Sequence, residues 1–166
     1  MKKFELTTET KVVFGVTLYR IRALIAFGCV DSGELGGWIE KESNLAQYGD
    51  AWVYGNAWVY GDARVYGNAR VYGNARVYGD ARVYGDAWVI KPVHMLIVGA
   101  IGSHNGCTTF FRTKDKQIKV SCGCFLGTIA EFAEKVKHTY KDSKHAKTYA
   151  LAIELAKAQI EDVEVN

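Results

Sequence analysis

The sequence predicts a mainly β protein that ends in an α+β segment. Three observations support this class. Seven consecutive six-residue repeats occupy residues 47–88, short β-rich segments precede them, and two stretches with apolar residues at helical spacing follow them. A period this short is typical of architectures that stack one repeat on the next.

The composition is that of an ordinary folded chain. Its 166 residues suit one domain or two small ones, and 49% apolar with 23% charged residues excludes general disorder. The longest apolar run, Met95–Ile101, is much shorter than the ~18 residues of a membrane helix, and residues 1–5 contain no signal core. We therefore expect a cytoplasmic protein without membrane contact, with its four cysteines as thiols. The net charge of +3 alone predicts neither nucleic-acid nor lipid binding.

Each repeat combines a short strand with a turn. Its Ala-(Arg/Trp)-Val-Tyr stretch alternates small or aliphatic residues with large ones, which is the period of a β-strand. We expect four-residue strands with Ala and Val facing inward and the large residues facing outward. Gly followed by Asn or Asp then ends each strand, because these residues accept turn conformations at little cost. Stacked coils bury the Ala and Val columns, whereas a flat meander would bury nothing.

This pattern resembles the hexapeptide-repeat family, in which three units form one triangular coil of a left-handed parallel β-helix. The resemblance covers Ile39–Val89 and implies about three coils. The family's aliphatic position is held by Val53, Val59, Val65, Val71, Val77 and Val83. Its small position is held by Ala51, Ala57, Ala63, Ala69, Ala75, Ala81 and Ala87. Gln47 is polar at the aliphatic position, so we expect the first unit to be distorted.

The resemblance implies three segments and leaves the activity open. They are an N-terminal β cap at residues 1–38, the solenoid at residues 39–90 and an α+β domain at residues 91–166. Members of the family include acyltransferases, carbonic anhydrases and proteins with no known catalysis. Residues 18–45 also resemble an N-terminal block of phage and prophage hexapeptide proteins of undefined role.

Three units per coil place residues eighteen apart one above another, separated by about 4.8 Å. The outward residues then form three columns: Trp52, Arg70 and Trp88; Trp58 and Arg76; Arg64 and Arg82. An arginine stacked on a tryptophan is a favourable cation–π contact. Arg64 below Arg82 is instead repulsive, and we expect Asp62 and Asp80, two residues before each arginine, to supply the counter-charge.

The outward columns have two interpretations. Ladders of like side chains stabilise any β-solenoid, or the aromatic and arginine residues form an interface, since these residue types are enriched in binding hot spots. The predicted interface consists of Trp52, Trp58, Tyr60, Arg70, Arg76, Tyr78 and Trp88. The hexapeptide resemblance favours self-association here, as a dimer or trimer. Residues 39–88 hold five basic and six acidic side chains, which disfavours binding of nucleic acid by this segment.

The flanks are predicted from local pattern. We expect strands at Val12–Val16 and Leu18–Phe27, followed by a turn over residues 31–37. After Pro92, strands are expected at Val93–Ile101, Thr108–Thr113 and Gln117–Cys122.

Two helices follow these strands. Thr128 and Glu131 form a capping box for the first, and Asp142 or Ser143 caps a second that runs to about Ile160. The last segment, residues 89–166, carries eleven basic and eight acidic side chains. We interpret this excess as a solvated helical face, with nucleic-acid binding as the alternative.

Three cysteines and three histidines are the next candidates for chemistry. Cys122 and Cys124 could begin a metal site with His138 or His145, form a redox pair, or remain ordinary thiols. A structural zinc site usually shows two paired ligand motifs and only one is present, so we predict no metal and no cofactor. His104 and Cys107 share a loop, where a base and a nucleophile are conceivable.

An acyltransferase is a further alternative. Acyltransferase relatives insert a histidine-bearing loop into the solenoid and bind coenzyme A between subunits, whereas this solenoid has neither an insertion nor a histidine. The remaining candidates for such a site are His94 and His104.

The sequence therefore predicts a non-catalytic, phage-type binding protein. It would self-associate through its solenoid and engage a host protein, as an anti-CRISPR or another inhibitor of bacterial defence does. The alternatives are an acyltransferase-like enzyme with a site between subunits, and nucleic-acid binding through the basic C-terminal segment.

Overall fold

The computed structural model describes residues 1–160 and separates into two units, one from Met1 to Pro92 and one from Val93 onward. The protein is mainly β with two C-terminal helices, as the sequence predicts. The finer division at residues 38 and 90 stays a prediction. No helix within the described residues combines the length and apolar character needed to cross a membrane.

Three antiparallel strands open the first unit: β1 (Phe4–Val13), β2 (Val16–Ala23) and β3 (Leu35–Ile39). The predicted strand over Val12–Val16 is wrong, because the β1–β2 turn lies inside it. Phe14 and Gly15 both adopt positive φ there, at 51° and 80°. The predicted strand over Leu18–Phe27 begins two residues earlier and ends at Ala23.

Each repeat then contributes one short strand. These are β4 (Trp52–Val53), β5 (Trp58–Val59), β6 (Arg64–Val65), β7 (Arg70–Val71), β8 (Arg76–Val77), β9 (Arg82–Val83) and β10 (Trp88–Val89). Each pairs in parallel with the strand eighteen residues away, so the predicted register is confirmed. The result is three ladders, which we name the first (β4-β7-β10), second (β3-β5-β8) and third (β6-β9) ladders.

The strands are two residues long rather than the four predicted. In the six strands β4 to β9, the valine is followed by a tyrosine and then by a glycine whose φ lies between 55° and 71°, so the chain leaves the extended conformation early. The tyrosine still contributes to the ladder, because the Tyr54 N–H donates to the Val71 carbonyl at 2.8 Å. The inward columns are as predicted, and each of their alanines and valines is at most 1% exposed.

The first unit of the repeat is distorted, as expected, but the position assigned to Gln47 is wrong. Leu45 fills the aliphatic position, since it forms a parallel bridge with Val65. Gln47 lies in an interval two residues longer than the repeat, and its amide binds the N-terminal backbone instead. Its Oε1 accepts from the N–H groups of Lys3 at 2.8 Å and Phe4 at 3.2 Å, and its Nε2 donates to the Phe4 carbonyl at 3.2 Å.

A buried lysine also ties the N-terminus to the solenoid. Lys3 is 2% exposed, and its Nζ donates to the carbonyls of Ala51 at 2.9 Å and Gly49 at 3.2 Å. The ammonium lies 4.7 Å from the centroid of the Phe27 ring. Desolvation by burial lowers the pKa of Lys3 to about 8, and the carboxylate of Asp50 opposes this only partly.

The second unit is a four-stranded antiparallel sheet with two helices. The strands lie in chain order: β11 (Met95–Ile101), β12 (Gly106–Arg112), β13 (Ile118–Cys122) and β14 (Phe125–Thr128). The helices are α1 (Ile129–Tyr140) and α2 (Lys144–Gln159). The sequence predicts three of these strands and both helices. It misses β14, where Gly123 with φ 59° turns the chain straight back.

Helix caps and core of this unit agree with the predicted patterns. Thr128 and Glu131 form the capping box of α1, and Ser143 caps α2. The ring of Phe132 lies 5.2–6.3 Å from its aromatic neighbours Phe110, Phe125 and Tyr149. The α2 stripe of Tyr149, Ile153, Ala156 and Ile160 is at most 5% exposed.

Candidate binding surface of the solenoid

The first ladder carries Trp52, Arg70 and Trp88. Trp52 is fully buried, with the ring of Phe27 at 5.3 Å and the ring of Phe4 at 6.2 Å, both edge-on. The prediction that Trp52 belongs to an exposed interface is therefore wrong. Its side chain does point away from the valine column, but N-terminal residues far away in the sequence cover it.

Arg70 and Trp88 remain half-buried on this ladder. The guanidinium of Arg70 lies 5.5 Å from the Trp88 ring, which is the stacking that the sequence predicts. Arg70 also donates to the Cys29 Sγ at 3.2 Å and to the Tyr72 hydroxyl at 3.4 Å. These contacts fix the arginine to the N-terminal segment, so the first ladder offers little free surface.

The second ladder stacks Trp58 on Trp38, with Arg76 on the next rung. Arg76 lies 4.5 Å from the Trp58 ring, and Lys11 of β1 lies 4.5 Å from the same ring and 4.1 Å from that of Trp38. Desolvation, followed by repulsion from Arg20 and Arg76, lowers the pKa of Lys11 to about 8. Trp58 is thus half-covered by cations, while Arg76 stays exposed.

Tyrosines form a further outward column beside each ladder. Their rings stack in pairs with centroids 4.1, 5.6 and 4.5 Å apart, in the order Tyr54–Tyr72, Tyr60–Tyr78 and Tyr66–Tyr84. In the first member of each pair, burial raises the pKa of the hydroxyl, and the stacked tyrosine raises it further. These hydroxyls therefore stay neutral at physiological pH. Tyr78 is the most open of the six, at 47% exposed.

The third ladder is the least covered one. Within residues 1–160 its sheet consists of β6 and β9, extended only by the Leu45–Val65 bridge. Arg64 and Arg82 are register partners on neighbouring rungs, and both are exposed. They border a recess of about 560 Å³ together with the segment that contains Ser43, Gln47 and Tyr48. The sequence analysis does not identify this recess, although the irregular interval around Gln47 marks its place.

Two acidic residues near this recess, Asp62 and Glu42, are paired with lysines. Asp62 accepts from Lys41 at 2.9 Å, and this hydrogen bond, with the charge of Lys41, lowers the pKa of Asp62. The charge of Arg64 also lowers the pKa of Asp62, though less, so Asp62 is a counter-charge of Arg64 as predicted while its hydrogen bond goes to Lys41. Glu42 accepts from Lys2 at 2.8 Å. The charged residues that line the recess are Arg64, Arg82 and Glu42.

The structure does not bring the two candidate catalytic histidines into a common exposed site. His94 is 1% exposed and ends a 3-10 helix at Pro92–His94. His104 is exposed in a turn, where its Nδ1 lies 3.1 Å from the Ser103 Oγ, and that hydroxyl lies 3.0 Å from the Tyr140 hydroxyl.

The Cys-Gly-Cys motif forms the β13–β14 turn. Cys122 is half-buried, with its Sγ 3.2 Å from the Thr108 Oγ1 and 3.7 Å from the Tyr149 hydroxyl, and Cys124 is exposed. No group of three His, Cys, Asp or Glu side chains with metal-binding geometry occurs among residues 1–160. The two thiols of the motif are free in this structure.

Part of the repeat segment is similar to a known repeat family. A family model described as the YdcK beta solenoid repeat matches residues 63–77 and again residues 75–90. No curated protein matches the chain. The two matched stretches coincide with strands β6 to β10, so the central segment is similar to a β-solenoid repeat in sequence as well as in structure.

Proposed function

We propose that this protein is a non-catalytic binding protein. Its solenoid self-associates, and the protein engages a host protein partner in the host cytoplasm as an inhibitor of a bacterial defence system. In this proposal the solenoid is a left-handed parallel β-helix of three coils. Nine inward aliphatic residues support that count, because each ladder contains three of them. They are Val53, Val71 and Val89 on the first ladder, Ile39, Val59 and Val77 on the second, and Leu45, Val65 and Val83 on the third.

The observation that carries the proposal is the set of rigid, partly exposed tyrosine and arginine rungs. A stacked tyrosine has lost its rotamer freedom before any partner arrives, so binding costs less conformational entropy. Tyrosine and arginine are also residue types that dominate binding hot spots. With Trp52 buried, the surface that best fits self-association is Tyr60, Arg76 and Tyr78 on the second ladder.

The anti-defence role has narrower support. It rests on the resemblance of residues 18–45 to a block found in phage and prophage proteins, together with the small size of the chain. The burial of His94 supports a non-catalytic protein over the acyltransferase alternative. A shift in melting temperature with acetyl-coenzyme A would favour that enzyme instead.

Nucleic-acid binding by the second unit is a second candidate, favoured by one observation. Lys137, Lys141 and Lys147 border a groove of about 290 Å³ between α1 and α2, whose floor includes Val136 and Ile153. This candidate predicts retention on DNA or RNA that falls steeply with salt concentration.

Sedimentation velocity over a range of concentrations tests the self-association. We expect the wild type to form a dimer or trimer, and Tyr78→Ser and Arg76→Ser to weaken the association at least about tenfold, the effect of losing about 1.4 kcal/mol. Leu151→Ser is the control, because Leu151 is 73% exposed on α2 and is the larger apolar loss. A monomeric wild type, or equal weakening by the control, would refute the assignment.

A further inference from the structure

The recess beside the third ladder has the size of a small-molecule site. Its volume of about 560 Å³ lies within the usual range for such pockets, roughly 300–1,000 Å³. It lies beside the irregular interval that follows Leu45, where the Gln47 amide binds the N-terminal backbone rather than the ladder. Leu45 and Val65, both buried in the inward column, contribute to its lining, and Tyr48, which also lines it, is 72% exposed.

The charge of the recess selects an anion. Arg64 and Arg82 lie on neighbouring rungs of a parallel ladder, where side chains repeat about every 4.8 Å. The guanidinium of Arg64 makes no hydrogen bond or ion pair with another residue in the described part of the chain. Glu42, the carboxylate in the lining, is paired with Lys2. Arg82 has a further contact within the described residues, but a guanidinium carries five N–H donors and can still donate to an anion held between the two rungs. Such an anion also offsets the repulsion between the two stacked guanidinium groups.

The geometry favours a phosphate over a carboxylate. One guanidinium fork already uses both oxygens of a carboxylate, whereas a phosphate monoester offers three terminal oxygens to two forks on different rungs. The hydroxyl of Tyr66 lies within the electrostatic reach of Arg64, Arg82 and Tyr48, and it remains a neutral donor because burial raises its pKa.

The aromatic residues favour a planar group next to that phosphate. The Tyr66 ring is fixed by stacking on Tyr84 at 4.5 Å, and Tyr48 lines the same recess and is exposed. Aromatic faces of this kind stack on nucleobases without regard to sequence, because each base has a π-face. The side-chain amide of Gln47 and the hydroxyl of Ser43 complete a polar rim.

We propose that Arg64, Arg82, Tyr48 and Tyr66 form a binding site for a small phosphorylated ligand that carries a planar ring, such as a nucleotide. Arg64 and Arg82 bind the phosphate, and the tyrosines contact the ring. The site uses the third ladder and is independent of the self-association surface on the second.

Isothermal titration calorimetry of the full chain tests this site with four probes, the 5′-monophosphates of adenosine, guanosine, cytidine and uridine. We expect at least one of them to bind, its parent nucleoside to bind at least about tenfold more weakly, and higher salt to weaken binding. Arg64→Gln and Arg82→Gln should each reduce the affinity at least about tenfold. Arg22→Gln is the matched control, since Arg22 is exposed on β2, does not line the recess and should leave the affinity unchanged.

Three results would overturn the site. They are no binding of any monophosphate at millimolar concentration, unchanged affinity in both recess variants, and stronger binding of a hexaglutamate peptide than of the nucleotides. The last result would identify an acidic protein segment as the ligand. Unchanged thermal melting of the recess variants shows that they are folded. Sedimentation of the same variants should match the wild type, so this site and the proposed self-association can fail separately.

Discussion

The two units of the chain encode their contacts in different ways. In the solenoid the partner of each strand is found by counting eighteen residues, so Arg70 pairs with Trp52 and Trp88. In the second unit Phe132 of α1 contacts Phe110 of β12 and Tyr149 of α2. The numbers of residues between these partners follow no repeat, so counting along the sequence does not find them. A repeated sequence therefore specifies register as well as local structure, whereas an unrepeated one specifies little beyond its elements.

The difference can be measured, because each unit has its own spectroscopic signal. All four tryptophans belong to the first unit, and both helices within the described residues belong to the second. Tryptophan fluorescence therefore reports on the solenoid and its N-terminal strands, and circular dichroism at 222 nm reports mainly on α1 and α2.

The largest expected effect is that of Val71→Asp. Val71 lies fully buried in the middle of the first ladder, so the substitution places an unpaired carboxylate among aliphatic side chains. We expect a loss of at least about 4 kcal/mol in the free energy of unfolding, seen as a lower denaturation midpoint by tryptophan fluorescence. Val12→Asp is the control, because Val12 is 70% exposed. An unchanged midpoint for Val71→Asp would show that this column does not face inward.

Replacement of Trp52 tests whether its side chain is buried or exposed. Trp52→Ser should lower the free energy of unfolding by about 3–5 kcal/mol, because it leaves a cavity beneath Phe4 and Phe27. Trp52→Phe is the matched control and should cost much less, since the buried indole N–H has no hydrogen-bond partner to lose. A Trp52→Ser protein as stable as the wild type would contradict the burial of Trp52 and would support its prediction as an exposed residue.

Stability should also depend on pH through Lys3. Its pKa is about 8 in the folded protein and 10.5 when unfolded, so the unfolded chain binds more protons between these values. The free energy of unfolding should therefore rise with pH, by about 2 kcal/mol from about pH 8 to about pH 10. Above about pH 10 the ladder tyrosines act in the opposite direction, because their raised pKa values disfavour ionisation in the folded state.

Lys3→Met isolates the contribution of Lys3. In the variant, the free energy of unfolding should rise less between these pH values. A smaller rise should remain, because the pKa of Lys11 is also lowered to about 8 and acts in the same direction. Equal slopes for the wild type and Lys3→Met in urea denaturation would contradict the effect of burial on the Lys3 ammonium.

The smallest effect belongs to the second unit. Thr128→Ala removes the hydroxyl that accepts from the Glu131 N–H at 3.2 Å and should cost about 1 kcal/mol, measured by circular dichroism at 222 nm. Thr139→Ala, at an exposed position in the same helix, is the control. A larger loss for the control would contradict the cap.

The sequence predicts most of the fold because the deciding signals are local. The inward columns, the eighteen-residue register and the caps of α1 and α2 each depend on residues in or next to the element concerned. The cover of Trp52 could not be predicted, because Phe4 and Phe27 lie beyond the repeats and carry no periodic signal. The β14 strand was hidden by its length of four residues and by Gly127 within it.

The candidate sites were less predictable than the fold. Counting repeats from Gln47 places it in a column that Leu45 occupies. The sequence therefore predicts only a distorted first unit, and not the recess beside the irregular interval. The pairing of Asp62 with Lys41 likewise joins a turn to a segment twenty-one residues earlier. Surfaces depend on such contacts between segments, and a single sequence does not display them.

A double-cysteine experiment tests the winding of the repeat most directly. In a background with the four native cysteines replaced by serine, Arg64→Cys with Arg82→Cys should form a disulfide on mild oxidation, because register partners in a parallel ladder lie about 4.8 Å apart. Arg64→Cys with Arg76→Cys should not, since those residues lie on different ladders. A disulfide in the second pair and none in the first would contradict the three-ladder solenoid on which the proposed surfaces depend.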